Sequence, residues 1–578
     1  MTEFQVDNQE HLGDGKHTSR IDSRKALGVI VLCACLFYGN TLPNELLFDD
    51  AELIPHQNGL RTPWDVGAIF SGRYWGALKK SDTLYRPLTV WSLSLNYGLN
   101  RVLGLPGVHP VGYHAVNVLL HAFAGCMVYV FCMKVGLAGG LGLAVALLFV
   151  AHPIHTEVVA GIVNRSEILA LIFGLGFLIL HRMQARRGRV ALCYFLALCS
   201  KESAIAFLPL VVWTDVCFGF KDRRQTAVSY GMYAGILALW LGVRSQVVGG
   251  IVQEISELDN PIVTASFWEQ ILTAARVQFD YLKLQVIPVG LSSDYSYQQI
   301  PVVSTLLDGQ VLGFIALMLG GIMAGLRLRR SHLFVLYSVV SYGILFVPTS
   351  NFFLVIGTIM GERLTYSPSV FFCLLLGYGV WMLSRSGLAW ILACVILVFY
   401  GGLTVAQNRT WAHAGVFFET QVRSAPASAK AHNNLGRTRH AAGLLDQVLA
   451  NYEQAIFLWP KYADAWNNLG VFYKAKADYA SAVRAYRKSV SLKPNQALTY
   501  FNLGNLYHET GEVDQAVKAY LTVIRLSPHY FQAYVNLGVV YSNAGRMTEA
   551  EAIWKEVLQL DPKNTQARAN LVVLEKRR

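Results

Sequence analysis

Residues 151–170 read AHPIHTEVVAGIVNRSEILA. Two histidines, two glutamates and an arginine stand there between runs, 137–151 and 167–181, that are otherwise almost wholly apolar. Such runs pack into hydrocarbon, whereas His152, His155, Glu157, Arg165 and Glu167 are costly at membrane depth and by default mark a functional site. The stretch reads as a polar connection between two membrane passes, and that reading organises the first 410 residues.

Composition agrees. Only 15% of the 578 residues are charged and the mean hydropathy is +0.36, whereas a soluble domain carries about 25% charged residues. This is the balance of a polytopic membrane protein. The formal net charge of +12 does not point to nucleic acid, because the basic residues cluster between apolar runs: HRMQARRGR at 181–189, KDRR at 221–224 and RLRRSH at 327–332. Such clusters mark the cytoplasmic face. All nine cysteines lie in apolar segments without a CxxC pair, so neither a zinc site nor a disulfide framework is indicated. The polar residues 1–25 do not resemble a cleavable signal, and the first apolar run reads as an uncleaved anchor.

A membrane helix needs about 17–25 mainly apolar residues. Runs near 26–42, 112–133, 137–151, 167–181, 190–201, 203–219, 226–243, 309–326, 332–348, 366–383 and 388–406 predict eleven spans, several of them short. Lys16, Arg20, Arg24 and Lys25 set the tail 1–25 in the cytoplasm. Alternating from there, 182–189, 221–224, 327–330 and Arg385 also fall on the cytoplasmic side, and the C-terminus on the far side. The amphipathic stretches 88–104 and 266–289 are expected to lie along the lumenal surface. FDDAELI (48–54), YRPLTVW (85–91), the opening stretch, SKES (200–203), SSDYSYQQIP (292–301) and GERLTYSPS (361–369) then converge on that one face.

After a linker at 411–428 the pattern becomes a repeat. Pro426, Pro460, Pro494, Pro528 and Pro562 are each 34 apart, as are Gly436, Gly470, Gly504 and Gly538, and Tyr452, Tyr486, Tyr520 and Trp554. This period and these residues are the tetratricopeptide (TPR) helix–turn–helix signature. Four repeats are expected at 429–462, 463–496, 497–530 and 531–564, followed by a C-terminal helix, so that 429–578 forms an α-solenoid. Stacked repeats make a concave surface for a peptide or protein partner; a spacer that binds nothing is the bland alternative. Asn433, Asn434, Asn467, Asn468, Asn502 and Asn536 are expected to line the groove, where asparagine amides hold a peptide backbone. His432, Arg439 and Val448 depart from the pattern in the first repeat, as in a terminal or membrane-facing cap. The expected fold class is all-α: a polytopic helical membrane domain over 26–410, then the solenoid.

Together these motifs, with GYHAVNVLLHAFA (112–124) and LCSKES (198–203), resemble the transmembrane and tetratricopeptide-repeat containing (TMTC) family in wording, order and spacing over nearly the whole chain. The resemblance implies a GT-C-type glycosyltransferase of the endoplasmic reticulum membrane, with its TPR domain in the lumen. Similar proteins are O-mannosyltransferases, which move mannose from dolichyl-phosphate-mannose to Ser or Thr of secretory proteins, cadherin-type domains among them. The repeat array here is shorter than in many relatives, which bears on the choice of acceptor.

A polyprenyl-phosphate donor leaves as a lipid phosphate and needs cations to stabilise its charge. The acceptor hydroxyl needs a base. Asp49 and Asp50, after the first span, are the expected catalytic carboxylates, one of them the base with Asp50 slightly favoured; holding a divalent ion and capping a helix are the alternatives. Arg86, Arg165, Lys201 and Arg363 are expected to bind the donor phosphate, against the bland reading of snorkelling side chains. Glu202 and Glu362, each beside one of these cations in sequence, are expected to belong to the site, against the bland reading that they only pair with those cations. His152, His155 and Glu157 complete the expected site. Their spacing also raises zinc, but Pro153 breaks the helical register and no HExxH is present; imidazoles bonded to loop carbonyls are the structural alternative. No metal is assigned and no nucleic-acid partner is expected. Rival functions are a non-catalytic membrane scaffold that recruits a protein through its repeats, a transporter, and a bacterial plasma-membrane enzyme using another polyprenyl-phosphate sugar.

Overall fold

The computed structural model describes residues 22–76, 83–220, 222–249, 255–383 and 388–577. The tail expected at 1–25 lies outside the described residues up to position 21, as do Lys221 and Arg385. Every regular element among the described residues is a helix. The chain divides into two compact units, one of residues 1–296 and 300–424, the other of 297–299 and 425–578.

The first unit is built from α1 (Ser23–Tyr38), α2 (Asp49–His56), α3 (Val66–Ser71), α4 (Pro87–Val102), α5 (Pro110–Lys134), α6 (Gly139–Ala151), α7 (Thr156–Ala160), α8 (Arg165–Arg182), α9 (Arg187–Ser200), α10 (Phe207–Phe218), α11 (Arg223–Val248), α12 (Phe267–Val286), α13 (Gly309–Leu328), α14 (Leu333–Phe346), α15 (Ser369–Leu383), α16 (Leu388–Asn408) and α17 (Ala414–Ser424). Each of the eleven apolar runs falls on one of these helices. Five stretches are long and apolar enough to cross a bilayer: Pro110–Lys134, Ile162–Arg182, Arg223–Val248, Gly309–Leu328 and Leu388–Trp411. Gly139–Ala151 and Pro153–Ala160, bent by 51° at His152, make a sixth if they count as one. The other runs form shorter helices, 16 residues in α1 and 12 in α10, whereas a 30 Å hydrocarbon core needs about 20 residues at 1.5 Å each.

The core of this unit is α8, buried on almost every face, with Leu171, Phe177 and Leu178 against Tyr194, Leu198 and Phe207. A helix that is apolar all round belongs inside a bundle. The amphipathic stretches form α4 and α12. One face of α4 is buried, with Leu93, Ser94 and Asn100 at 0% exposure, and Val102 and Leu103 are left exposed. The expected linker is in part helical, because Phe417 of α17 buries itself with Leu47, Ala160 and Trp411.

In the second unit, α18 (Ala429–Ala441) with α19 (Leu445–Leu458), α20 (Ala463–Ala475) with α21 (Tyr479–Leu492), α22 (Ala497–Glu509) with α23 (Val513–Leu526), and α24 (Phe531–Asn543) with α25 (Met547–Leu560) form four helix pairs, closed by α26 (Thr565–Arg577). The repeat glycine sits where the paired helices meet. A Cβ on Gly470 would lie 2.6 Å from the Tyr486 ring, and one on Gly538 2.3 Å from Trp554 Nε1. Tyr297, Gln298 and Gln299 join this unit. The Gln298 N–H donates to Ala427 O (2.9 Å), the Ala429 N–H donates to Tyr297 O (3.0 Å), and the Tyr297 ring lies 4.3 Å from that of Trp459.

Candidate active site

The acidic pair opens α2 directly after Phe48, whose φ of 52° is a left-handed conformation seldom used by a bulky residue and a mark of local strain. The two carboxylates then part. Asp50 is buried, and its two oxygens accept the N–H groups of Ile162 and Val163, each at 2.8 Å. It thereby satisfies the backbone of the turn that leads into α8. Burial pushes its carboxyl up to about 7 against the pull of those two bonds. Asp49 is half-buried on the same helix and lies within electrostatic reach of Arg363.

The four cations also separate. Arg165 is fully buried: Nε donates to Asn117 Oδ1 (2.7 Å), Nη2 to Asn96 Oδ1 (2.8 Å) and Tyr113 O (3.2 Å), and Nη1 to Ser92 O (3.2 Å). These bonds tie the start of α8 to α4 and α5. The others form ion pairs whose partners are remote in sequence. Arg86 Nε bonds Glu202 Oε2 at 2.9 Å, beside the Tyr74 ring; Lys201 bonds Glu167; and the Arg363 N–H and Nη1 bond the two Glu157 oxygens at 2.8 and 2.5 Å. Arg363 and Arg86 keep 29% and 16% of their side chains exposed, so both remain partly open to solvent. Lys201 and Glu167 line a small pocket with Ser203, Thr349 and Ser367. The Lys201 ammonium feels Arg86, Arg363, Glu202 and Glu157, and Arg363 feels Asp49. Asp49, Arg86, Glu157, Glu167, Lys201, Glu202 and Arg363 therefore share one electrostatic field.

Glu362 does not pair with Arg363. Its Oε1 accepts the Ser292 N–H (2.5 Å) and the Tyr295 hydroxyl (2.7 Å), and burial, followed by the nearby Glu157 charge, pushes its carboxyl well above the usual carboxylate range. His152 and His155 are buried at the α6–α7 bend. His152 Nε2 meets Gln285 O at 2.9 Å, and His155 meets Phe149 O at 2.9 Å and Ser369 Oγ at 2.8 Å. They hold the bend, as the structural alternative has it. His121, edge-on to the rings of Tyr38 and His155, belongs to the same group. Among the described residues no three His, Cys, Asp or Glu side chains are grouped to hold a metal ion.

Sequence reasoning marked Glu167 as costly at membrane depth but gave it no role, and left Ser292, Tyr295 and His121 out of the site. Glu167 and Tyr295 stand inside motifs that it had singled out; His121 shows only as a histidine in an apolar run. In the repeat unit the asparagines form rungs between neighbouring repeats. Asn468 Nδ2 donates to Asn433 Oδ1, Asn502 to Asn467 and Asn536 to Asn505, each at 2.9 Å. The last rung shifts because the matching position, 501, is Phe. Asn434, in the first repeat, is half-buried.

Comparison with known proteins bears on this arrangement. The family model described as Protein O-mannosyl-transferase TMTC, DUF1736 matches residues 251–322, and tetratricopeptide-repeat models match 473–511, 504–545 and 531–564. The Caenorhabditis elegans Protein O-mannosyl-transferase F38B6.6 is 28% identical over 462 residues, 77% of this chain and 64% of its own length. Human Protein O-mannosyl-transferase TMTC4 is 30% identical over 476 residues, 71% of this chain and 63% of its own. The chain is similar to TMTC proteins. The resemblance carried by its motifs is thus borne out. Mouse Protein O-mannosyl-transferase TMTC1 is 28% identical over 76% of this chain and 58% of its own length, so the chain spans about three-fifths of the curated TMTC proteins it matches.

Proposed function

We propose that this chain is a GT-C-type membrane glycosyltransferase that moves mannose from dolichyl-phosphate-mannose to Ser or Thr hydroxyls of secretory-pathway proteins. The reading rests on the shared field of Asp49, Arg86, Lys201 and Arg363, with cations still open to a ligand, and is supported by the names of its TMTC relatives.

In this reading Arg363 and Arg86 meet the donor phosphate with planar guanidinium groups, and Lys201 adds a point charge. Glu157, Glu202 and Glu167 hold the three cations in place until the donor arrives. The Asp49 carboxylate takes the proton of the acceptor hydroxyl, the hydroxyl oxygen bonds to sugar C1, and the C1–O bond to the phosphate breaks. The lipid phosphate leaves as an anion that the cations stabilise. Asp50 and Arg165 build the loop that carries the site. Dolichyl-phosphate-mannose is the lipid-linked substrate. A divalent ion is a further reading of the site, and Asp49 is the carboxylate left to meet one. The eleven helices cross the endoplasmic reticulum membrane with the site in the lumen, and the repeats present the acceptor, cadherin-like domains included.

A transfer assay tests this. The full chain in detergent receives dolichyl-phosphate-mannose carrying radiolabelled mannose and a folded cadherin-type domain. Label on Ser or Thr supports the reading. No transfer from this donor or from other polyprenyl-phosphate sugars, to any of several acceptors, overturns it in favour of a scaffold.

A further inference from the structure

We infer that the end of the helical bundle opposite Lys201 carries a second ligand site, one that takes a phosphate group. Helix α8 begins beside the active-site cluster and ends at Arg182; 15 residues separate Glu167 from Arg182, roughly 22 Å along the axis. At that far end an open pocket of about 520 Å³, counting the solvent at its mouth, lies among the end of α8, the start of α9, the end of α10 and the start of α11.

The lining carries guanidinium, amide and hydroxyl donors, and one carboxylate. Its carboxylate, Asp215, is 4% exposed and already satisfied by His181 Nε2 (2.7 Å), Arg182 Nη1 (3.1 Å) and the Tyr230 hydroxyl (2.8 Å). The other Arg182 nitrogens split: Nη2 reaches Phe218 O, while Nε is buried with no hydrogen-bond partner among the described residues. Arg187, Gln184, Gln225 and Thr226 complete the donor side. No side chain caps the start of α9, so its first N–H groups and the positive end of its dipole add to the field of Arg187. Asp222 does cap α11. Across 181–190 and 215–226 the described residues carry six arginines against Asp215 and Asp222. Several donors converging on one concavity with excess positive charge fit a tetrahedral anion, and guanidinium groups favour phosphate. Two sources share that chemistry: the headgroup of an anionic lipid in the adjoining leaflet, and free phosphate.

The test uses the delipidated full chain in detergent and follows its thermal unfolding temperature with dioctanoyl phosphatidic acid, inorganic phosphate or dioctanoylglycerol. We expect phosphatidic acid to raise the midpoint saturably and dioctanoylglycerol to leave it unchanged. Arg187→Gln, on an exposed side chain, and Thr226→Val should each weaken the phosphatidic acid effect at least tenfold without moving the ligand-free midpoint. If inorganic phosphate acts over the same concentration range and depends equally on Arg187, the site stands and its ligand is free phosphate. Equal shifts by phosphatidic acid and dioctanoylglycerol, no shift at all, or wild-type affinity in both variants overturn the inference. Arg187 is far from the active-site cluster, so this result is independent of the transfer assay.

Discussion

The Glu157 carboxylate holds Arg363 twice, by its backbone N–H at 2.8 Å and its guanidinium at 2.5 Å, across 206 residues of sequence. The bond joins α7 to the turn Glu362–Thr365 and aims a partly exposed cation. Hydrogen bonds to charged groups contribute about 1.5–3 kcal/mol. Glu157→Gln, which keeps the shape but loses the charge, is therefore expected to weaken donor binding about 10- to 100-fold, with a smaller effect on kcat. Donor titration against the wild type checks this, and unchanged donor affinity would contradict it.

Asp50 gives a pH dependence with a definite sign. Its carboxyl, buried and lifted to about 7, binds a proton more tightly in the folded protein than in the unfolded chain, where the value is about 3.9. The stabilisation from that proton is complete below about pH 4 and is lost as pH rises through 7. Between pH 5 and 8 the unfolding midpoint of the wild type should fall relative to that of Asp50→Asn. A difference that stays flat with pH would count against the assignment.

Arg165 tests structure against chemistry. Arg165→Met removes the donors that satisfy Asn96, Asn117, Ser92 O and Tyr113 O in a buried place. Leaving a buried acceptor unsatisfied costs about 1–3 kcal/mol, and here four lose their donor. Thermal unfolding of the full chain should show this loss, and any folded fraction should still bind donor. A variant that unfolds like the wild type yet binds no donor would make Arg165 a phosphate ligand instead.

The repeats make a packing prediction. The added methyl of Gly470→Ala would overlap the Tyr486 ring, and overpacking typically costs about 1–3 kcal/mol. Limited proteolysis of the full chain should cut the variant faster between α20 and α23 than it cuts Asn434→Ala, whose side chain is half-buried in the first repeat. Equal cutting would mean that the helix pair can yield.

What the sequence showed of the fold was what repeats locally. The 34-residue step of Gly470 and Tyr486 is a contact between helices adjacent in the chain, so spacing alone revealed it. The apolar runs likewise became helices, but their lengths did not follow from composition. The stretch 203–219 opens with a 3-10 turn, Glu202–Ala206, before the 12-residue α10. In the site, motif residues could be named but not paired, because pairing is set by tertiary approach. Lys201 stands next to Glu202 yet bonds Glu167, Glu202 bonds Arg86, and Glu362 turns away from Arg363 to Ser292 and Tyr295. Asp49 and Asp50 are indistinguishable as letters. Only the approach of Ile162 and Val163 commits one of them to the backbone.

The central claim is that Asp49 acts on the acceptor hydroxyl while Asp50 supports the loop. Single-turnover transfer of labelled mannose, measured beside donor affinity in Asp49→Asn and Asp50→Asn, tests it most directly. Asp49→Asn should bind donor like the wild type and lose at least 100-fold in transfer rate, within the range of a general base. Asp50→Asn should be less stable near pH 5 and keep measurable transfer at a temperature where it is folded. Full transfer by Asp49→Asn, or a folded Asp50→Asn that binds donor and transfers nothing, would contradict the account.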